Sequence, residues 1–275
     1  MMADVGTVAF VLGGGGVLGA VEVGMLRALF RGGIRPDLVV GLSIGAINAA
    51  LVASEPKPEV VDRLVRLWAT PEISEVYGDS VPRQIRRLAT RAHLHSPAPL
   101  QRLLERTFRP ETTFADLPVP LHLCAANIER ADAHWFDRGR VVPAVLAAAA
   151  LPGVLPPVEI DGEHFLDGGL VSYPITEAIR LGADEVFMLQ VGRLERPLEP
   201  PQRPWEATSV SMEIARRVRF SRELAAVPDG VRVHVLPGGA GADESPWAYR
   251  DTAAIGRRVS EAYAASRDYL AAVGR

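Results

Sequence analysis

A run of four glycines, residues 13–16, follows an apolar strand pattern at residues 8–12 and precedes an apolar helix pattern. A turn of this composition presents backbone amides at a helix N-terminus, where N–H donors and the helix dipole stabilise an anion. Gly14, Gly16 and Gly19 fit the spacing of a dinucleotide fingerprint, whose glycines let the backbone approach a pyrophosphate. The same amides would equally form an oxyanion hole for acyl transfer. The run therefore predicts an anion site and leaves its ligand open.

Strand and helix patterns alternate along the chain, which predicts an α/β fold of three layers, α/β/α, with a mostly parallel central sheet. The predicted strands are residues 8–12, 37–41, 121–126, 134–136, 185–191 and 231–237, with two short strands within 158–170. The predicted helices are residues 20–30, 44–53, 143–150 and 175–181, an arginine-rich helix containing 213–224, and a long helix opening near Ser245-Pro246. Residues 54–120 form a polar, helical excursion that we regard as a candidate lid or cap. We find no repeat or linker and predict one domain, residues 1–275.

Composition excludes several classes of protein. The net charge of −3 gives no global electrostatic case for a nucleic-acid partner. The single cysteine, Cys124, excludes an intramolecular disulfide and predicts a buried thiol in a reducing compartment. The N-terminus lacks the features of a signal peptide, and no apolar run reaches the ~18 residues of a membrane span. We therefore expect a cytoplasmic protein whose membrane contact is peripheral, at the inner face. No metal-ligand spacing is present, and we expect neither metal nor cofactor.

The segment Gly41-Leu42-Ser43-Ile44-Gly45 is a G-x-S-x-G pattern at a predicted strand-to-helix junction, the context of a nucleophile elbow. In a parallel βαβ unit, the glycine loop after the first strand and this turn after the second open onto one crevice. That arrangement would place backbone donors beside a nucleophile. The alternative is that Ser43 is only a helix N-cap. The dinucleotide interpretation weakens here, because it needs an acidic residue at the end of the second strand and Asp37 begins that strand instead.

A serine hydroxyl needs a base to remove its proton. An α/β-hydrolase would supply a late histidine, and His234 is the only histidine late in the chain. His234 lies inside the strand pattern VRVHVLP. Only one predicted strand precedes the strand that leads to Ser43, whereas in a hydrolase several strands come before the elbow. A histidine-dependent triad is therefore disfavoured.

Three motifs, LGGGGVLGA, GLSIGA and Asp167-Gly168-Gly169, occur in the order found in the patatin-like phospholipases, serine lipid acyl hydrolases with a Ser-Asp dyad. The segments at 112–127 and 147–175 are also similar to that family, and the resemblance runs from Val8 to the C-terminal helix. It implies hydrolysis of lipid carboxylic esters of the phospholipase A, lysophospholipase or esterase type. The implied partner is therefore a lipid or ester substrate, and no oligomeric state is predicted.

The resemblance assigns the roles residue by residue. Ser43 would be the nucleophile and Asp167 the base, with no histidine. The oxyanion donors would be Gly14, Gly15 and Gly16. The supporting glycines of the motifs would be Gly13, Gly19, Gly41, Gly45, Gly168 and Gly169. Judged from the residues alone, a hairpin turn at Asp167-Gly168 is favoured over a catalytic role for Asp167. Two rival functions stay open: a catalytically silent member that binds a partner, and a nucleotide-binding module.

The sequence departs from the family pattern at three places. Leu18 stands where a basic residue is usual, Ala150 where a serine is frequent, and Ser172-Tyr173 where an asparagine pair is common. The loss of positive charge at residue 18 argues against a preference for anionic headgroups and leaves neutral esters or lysolipids open. Two basic segments, residues 81–95 and 213–224, would suit interfacial helices. We favour ordinary amphipathic helices with solvated arginines for both.

Overall fold

The computed structural model describes residues 6–15, 18–76, 90, 92–191, 197–240 and 254–275. Gly16, most of the basic segment 81–95 and the predicted helix start near Ser245-Pro246 lie outside the described residues. In the rest of the chain, one mixed sheet has helices on both faces, so the predicted three-layer α/β/α fold is confirmed.

The sheet contains eight strands, in the order β5-β6-β3-β2-β1-β7-β8, with β4 paired to β3. The strands are β1 (Val8–Leu12), β2 (Leu38–Leu42), β3 (Leu121–Asn127), β4 (Asp132–Phe136), β5 (Val158–Ile160), β6 (Glu163–Asp167), β7 (Glu185–Leu189) and β8 (Arg232–Leu236). The pairs β3–β2, β2–β1, β1–β7 and β7–β8 are parallel, and β4, β5 and β6 join in antiparallel pairs. The strands β1, β2 and β7 are buried throughout, as is typical of a parallel sheet covered on both faces.

Helices cover the sheet on two sides. They are α1 (Gly19–Arg31), α2 (Gly45–Ser54), α3 (Glu59–Trp68), α4 (Pro71–Val76), α5 (Ala98–Thr107), α6 (Val141–Ala148), α7 (Pro174–Arg180), α8 (Pro204–Ala225) and α9 (Ala254–Ala272). Side chains alternate along β1: Phe10 and Leu12 join the core beneath α1 and α2, while Ala9 and Val11 join the core beneath α7. The two cores hold the carboxyl ends of β1, β2 and β7 at one edge of the sheet.

The excursion at residues 54–120 contains α3, α4 and α5 within its described part. Helix α3 packs its apolar face, including Val60 and Leu64, into the main core, and Trp68 at its end is fully buried. This first part of the excursion is thus fixed to the body of the protein. That the excursion as a whole acts as a lid stays a prediction.

Candidate active site

Ser43 lies on a sharp turn between β2 and α2. Its φ angle is 53°, in the left-handed region that residues other than glycine seldom adopt. The turn is crowded, because a Cβ placed on Gly45 would collide with the carbonyl of Gly13. Helix α2 begins at Gly45, so the positive end of its dipole faces the serine. A strained residue of this kind at a strand-to-helix junction is typical of an exposed nucleophile.

Asp167 is paired with Ser43. The Oγ of Ser43 donates a hydrogen bond of 2.6 Å to Oδ2 of Asp167, and the backbone N–H of Gly169 donates one of 2.8 Å to Oδ1. The aspartate is 3% exposed, and burial raises its pKa to about 6 against the lowering effect of these two hydrogen bonds. The pairing of β6 with β3 sets Asp167 opposite Ala125 and so brings it to the end of β2.

The alternative of a hairpin turn at Asp167-Gly168 is wrong, because the hairpin between β5 and β6 turns at Asp161 and Gly162. Both of these residues have positive φ angles, 53° and 81°, as a tight two-residue hairpin loop requires. Asp167 instead ends β6 and caps a short 3₁₀ turn at Gly168–Leu170. Its carboxylate is therefore held in place by the turn that follows it.

The glycine loop passes directly over the serine. A Cβ on Gly14 would overlap the side chain of Ser43, and a Cβ on Gly15 would lie 2.8 Å from Cγ1 of Val191. Among the hydrogen bonds of the described residues, none uses the N–H of Gly14 or Gly15. Both residues are partly exposed, so these amides are available to an anion that forms at Ser43. The third predicted donor, Gly16, lies outside the described residues.

The other motif glycines stand at close contacts. Gly13 donates its N–H to the carbonyl of Leu189 at 3.3 Å, which ties the loop to β7. A Cβ would meet the Trp68 ring at Gly19, Ala49 at Gly41, the Cys124 carbonyl at Gly168, and Oδ1 of Asp167 at Gly169. These glycines therefore allow the loop, elbow and aspartate turn to pack without side chains between them.

A buried polar network beneath the glycine loop was not anticipated. Nδ2 of Asn48 donates to Oε2 of Glu22 at 2.7 Å and to the carbonyl of Gly19 at 3.0 Å, while Nε1 of Trp68 donates to Oδ1 of Asn48 at 2.9 Å. All three side chains are buried, and desolvation raises the pKa of Glu22 well above its usual range. The network joins α1, α2 and α3. The signal available in the sequence is a polar residue in the first turn of each of two apolar helices, at Glu22 and Asn48.

The arginines of α8 also depart from expectation. Arg216 and Arg219 are partly buried and line a pocket beside Gly14 and Gly169, so the prediction that this segment presents solvated arginines is wrong for them. Nη2 of Arg219 donates to the carbonyl of Gly169 at 2.6 Å. Helical periodicity could not reveal this contact, because its acceptor lies on a distant segment.

Other nucleophiles and bases lie elsewhere. His234 stacks on Phe187, and its Nε2 is 3.0 Å from Oε1 of Glu185. Within the described part of the chain, no histidine hydrogen-bonds to Ser43 or Asp167. Cys124 is buried, and desolvation raises the pKa of its thiol strongly, so it is a packing residue.

The described residues contain no group of three or more His, Cys, Asp or Glu side chains placed to hold a metal ion. No described helix is long and apolar enough to cross a bilayer.

Comparison with known proteins decides the family. The family model described as "Patatin-like phospholipase" matches residues 10–179, which include the glycine loop, the elbow and Asp167. The chain belongs to the patatin-like phospholipase family. The solved structure of VipD from Legionella pneumophila matches 97% of this chain and 67% of its own with a TM-score of 0.52, at 14% identity, which supports the patatin-like fold.

Curated relatives carry the same type of domain within much longer chains. Lysophospholipase nte1 of Emericella nidulans is 29% identical over 203 residues, which cover 68% of this chain and 12% of that protein. Patatin-like phospholipase domain-containing protein 6 of Mus musculus is 30% identical over 192 residues, which cover 68% of this chain and 14% of that protein. The patatin-like chain described here therefore spans a small part of the relatives that it matches.

Proposed function

We propose that this patatin-like chain hydrolyses carboxylic esters of lipids through an acyl-enzyme on Ser43. In the first step, Asp167 takes the proton of the Ser43 hydroxyl while Oγ attacks the ester carbonyl. The tetrahedral oxyanion is stabilised by the free amides of Gly14 and Gly15, with Gly16 as the third predicted donor. Asp167 then gives its proton to the leaving alcohol, and the acyl group stays on Ser43.

Deacylation reverses these roles. Asp167, again ionised, accepts a proton from a water molecule that attacks the acyl carbonyl, and the proton passes to Oγ of Ser43 as the fatty acid leaves. A pKa of about 6 suits this cycle, since the carboxylate is ionised at neutral pH and is still basic enough to hold a proton briefly.

The observation that carries the proposal is the hydrogen bond of 2.6 Å from Ser43 to Asp167 at a strained elbow. A serine that served only as an N-cap would direct its oxygen to the amides of α2, and no such bond is found for Ser43 in the described residues. The nucleotide-binding alternative loses support because Ser43 lies against Gly14, where a pyrophosphate would approach the backbone.

A lipid substrate also requires contact with an aggregate or membrane surface. Ile214 and Val218 lie one turn apart on α8, on a face away from the side chains that line the pocket, and are 50% and 44% exposed. Exposed apolar side chains next to basic ones are typical of an interfacial helix. The proposal therefore includes peripheral membrane contact through this face of α8, as expected for a cytoplasmic enzyme of the inner face.

The test is labelling of the purified protein with a fluorophosphonate probe, followed by peptide mapping. We expect stoichiometric label on Ser43, none on Ser43→Ala, and labelling slowed by about a hundredfold or more in Asp167→Asn, which keeps the shape of the side chain. A folded wild-type protein that takes no label would contradict the proposal and favour a silent binding member. Label on another serine would contradict the assignment of the nucleophile.

A further inference from the structure

A pocket that is partly open to solvent adjoins the active site on the side of α8. Its floor includes Gly13 and Gly14 of the glycine loop and Leu42, the residue before the nucleophile. Gly169, whose N–H holds Asp167, forms another part of the wall. The polar side chains that line it are Ser172, Gln190, Arg216, Arg219 and Glu223. The apolar part of the lining is formed by Leu42, Pro174, Met188 and Phe220. The feature that fits a headgroup anion beside the ester is therefore the pair of arginines, Arg216 and Arg219.

Arg219 is the cation in this pocket whose charge is not neutralised. Its guanidinium donates to the Gly169 carbonyl, and in the described part of the chain no carboxylate forms an ion pair with it. Arg216 differs, since both of its donating nitrogens bind Glu213, at 2.6 and 2.7 Å. Arg219 therefore keeps several N–H donors for a ligand, in the planar fork that matches a phosphate or a carboxylate.

The position of Arg219 relative to the dyad is defined by three hydrogen bonds in series. They run from Ser43 to Asp167, from the Gly169 N–H to Asp167, and from Arg219 to the Gly169 carbonyl. In a glycerophospholipid, the phosphorus lies only a few bonds from the ester carbonyl. A substrate that presents its carbonyl to Ser43 can thus present its phosphate to this pocket.

The apolar side chain of Leu18 provides no positive charge to the active site. Leu18 stands where the family pattern usually has a basic residue, and its side chain is 2% exposed in the main core. The positive charge at this active site comes instead from α8, a helix that lies beyond the matched family region of residues 10–179.

We infer that Arg219 and the pocket around it bind the phosphate of a glycerophospholipid or lysophospholipid headgroup; the inference rests on the proposed ester hydrolysis at Ser43. Arg219 supplies the charged contact and Ser172 a hydroxyl donor on the same wall. Among the described residues that line the pocket, Glu223 is the one carboxylate. Burial raises its pKa to about 7, so at neutral pH it opposes a bound anion only in part.

The experiment compares two monomeric esters that differ only in the headgroup: 1-hexanoyl-glycerophosphocholine and monohexanoylglycerol. We expect Arg219→Gln to lower kcat/KM for the phosphocholine ester about tenfold to a hundredfold, mainly through KM, with less than about a twofold change for the neutral ester. Arg219→Lys keeps the positive charge but lacks the planar guanidinium. Its kcat/KM for the phosphocholine ester should lie between those of wild type and Arg219→Gln. Arg222→Gln is the matched control, because Arg222 is an exposed arginine of the same helix.

Equal losses on both esters would overturn the inference, because they would show that Arg219 acts only by holding the turn at Gly169. No loss on either ester would also overturn it. A thermal melt of each variant identifies any that fails to fold. If Arg219→Gln does not fold, kcat/KM on the two esters is compared between wild type and Arg219→Lys.

Binding to the Ser43→Ala protein tests the subsite without turnover, so its failure is distinct from failure of the catalytic proposal. We expect the phosphocholine ester to bind Ser43→Ala more tightly than the neutral ester does, and this difference to vanish in Ser43→Ala/Arg219→Gln. Glycerophosphocholine should compete with the phosphocholine ester for this site. Inorganic phosphate should compete only weakly. Binding of inorganic phosphate alone, without discrimination between the esters, would overturn a headgroup role.

Discussion

Gly14 and Ser43 are in such close contact that a single methyl group on Gly14 would occupy the space of the serine side chain. Gly14→Ala should therefore displace the nucleophile and the loop amides together. We expect kcat/KM to fall by at least about a hundredfold, the loss typical of a damaged oxyanion site, with an unchanged far-UV circular dichroism spectrum.

The control for this substitution is Gly256→Ala. Gly256 is exposed on α9 with open space around its Cα, so the added methyl meets no atom. This variant should keep full activity and gain about 0.5–1 kcal/mol of stability from the better helix propensity of alanine. A Gly14→Ala protein as active as Gly256→Ala would show that the loop is remote from the chemistry.

The rate of hydrolysis should depend on pH through Asp167. Only the ionised carboxylate can accept a proton, and its pKa is about 6 in the folded protein. For a neutral ester, kcat/KM should rise about tenfold per pH unit below this value and level off above it. Glu223 also titrates nearby, with a pKa of about 7, so the profile of Glu223→Gln is needed. A midpoint that moves in that variant would assign the dependence to Glu223.

The raised pKa of Asp167 also predicts that the folded protein is less stable at pH values where Asp167 is ionised. Folding raises the pKa of Asp167 from an ordinary value of 3.8 to about 6, so the folded state favours the protonated form. Stability is complete below about pH 4, falls as pH rises to about 6, and then stays lower by about 2–3 kcal/mol. Asp167→Asn should thus be more stable than wild type at about pH 8 and similar at about pH 4. Urea unfolding at both values tests this, and a less stable variant at the higher pH would contradict it.

The regular elements near the site were predictable because local patterns determine them. The strands β1 and β2 are apolar runs bounded by glycine or a turn, and they lie within one residue of their predicted ends. Asp167 is different. It lies 124 residues from Ser43 in sequence, and the two meet only because β6 pairs with β3. No periodicity encodes that pairing, so the dyad followed from the family resemblance alone.

Residues that act through long-range contacts were missed. Arg216 and Arg217 have a local partner, Glu213, at helical spacing, which favours a solvated ion-pair face. Arg219 has its acceptor on Gly169, fifty residues earlier, and so lies at the pocket instead. Trp68 likewise contacts Asn48 and Gly19 from the excursion, where the sequence predicts only polar, helical segments.

The stability of the folded protein should depend on pH through the protonation of Glu22, which lies beneath the glycine loop. Burial raises the pKa of Glu22 above the ordinary 4.5, and Asn48 donates to one carboxyl oxygen. Among the described residues, no side chain or backbone group forms a hydrogen bond with the other oxygen. The stability that Glu22 contributes is thus complete below about pH 4.5 and is lost progressively as pH rises. Glu22→Gln removes this dependence, so its advantage in melting temperature over wild type should grow from about pH 5 to about pH 8.

Glu22→Ala is the contrasting variant. It leaves the Nδ2 donor of Asn48 without this acceptor and opens a cavity beneath Gly19, so it should lose about 2–4 kcal/mol at about pH 5, where Glu22 is protonated. The loss relative to wild type should become smaller as pH rises, because wild type itself loses stability there. Parallel pH dependence of wild type and Glu22→Gln would show that Glu22 is not the titrating group.

Membrane contact through α8 predicts a separation between binding and chemistry. Ile214 and Val218 are exposed, so replacing both with serine removes apolar surface without opening the core. We expect vesicle binding of Ile214→Ser/Val218→Ser to fall about thirtyfold or more, since each of the two apolar side chains contributes about 1 kcal/mol or more at an interface. Hydrolysis of a monomeric ester should be unchanged. Val273→Ser is the control, because Val273 is 42% exposed but follows α9. Equal loss of vesicle binding in the two variants would show that α8 has no special contact with the membrane.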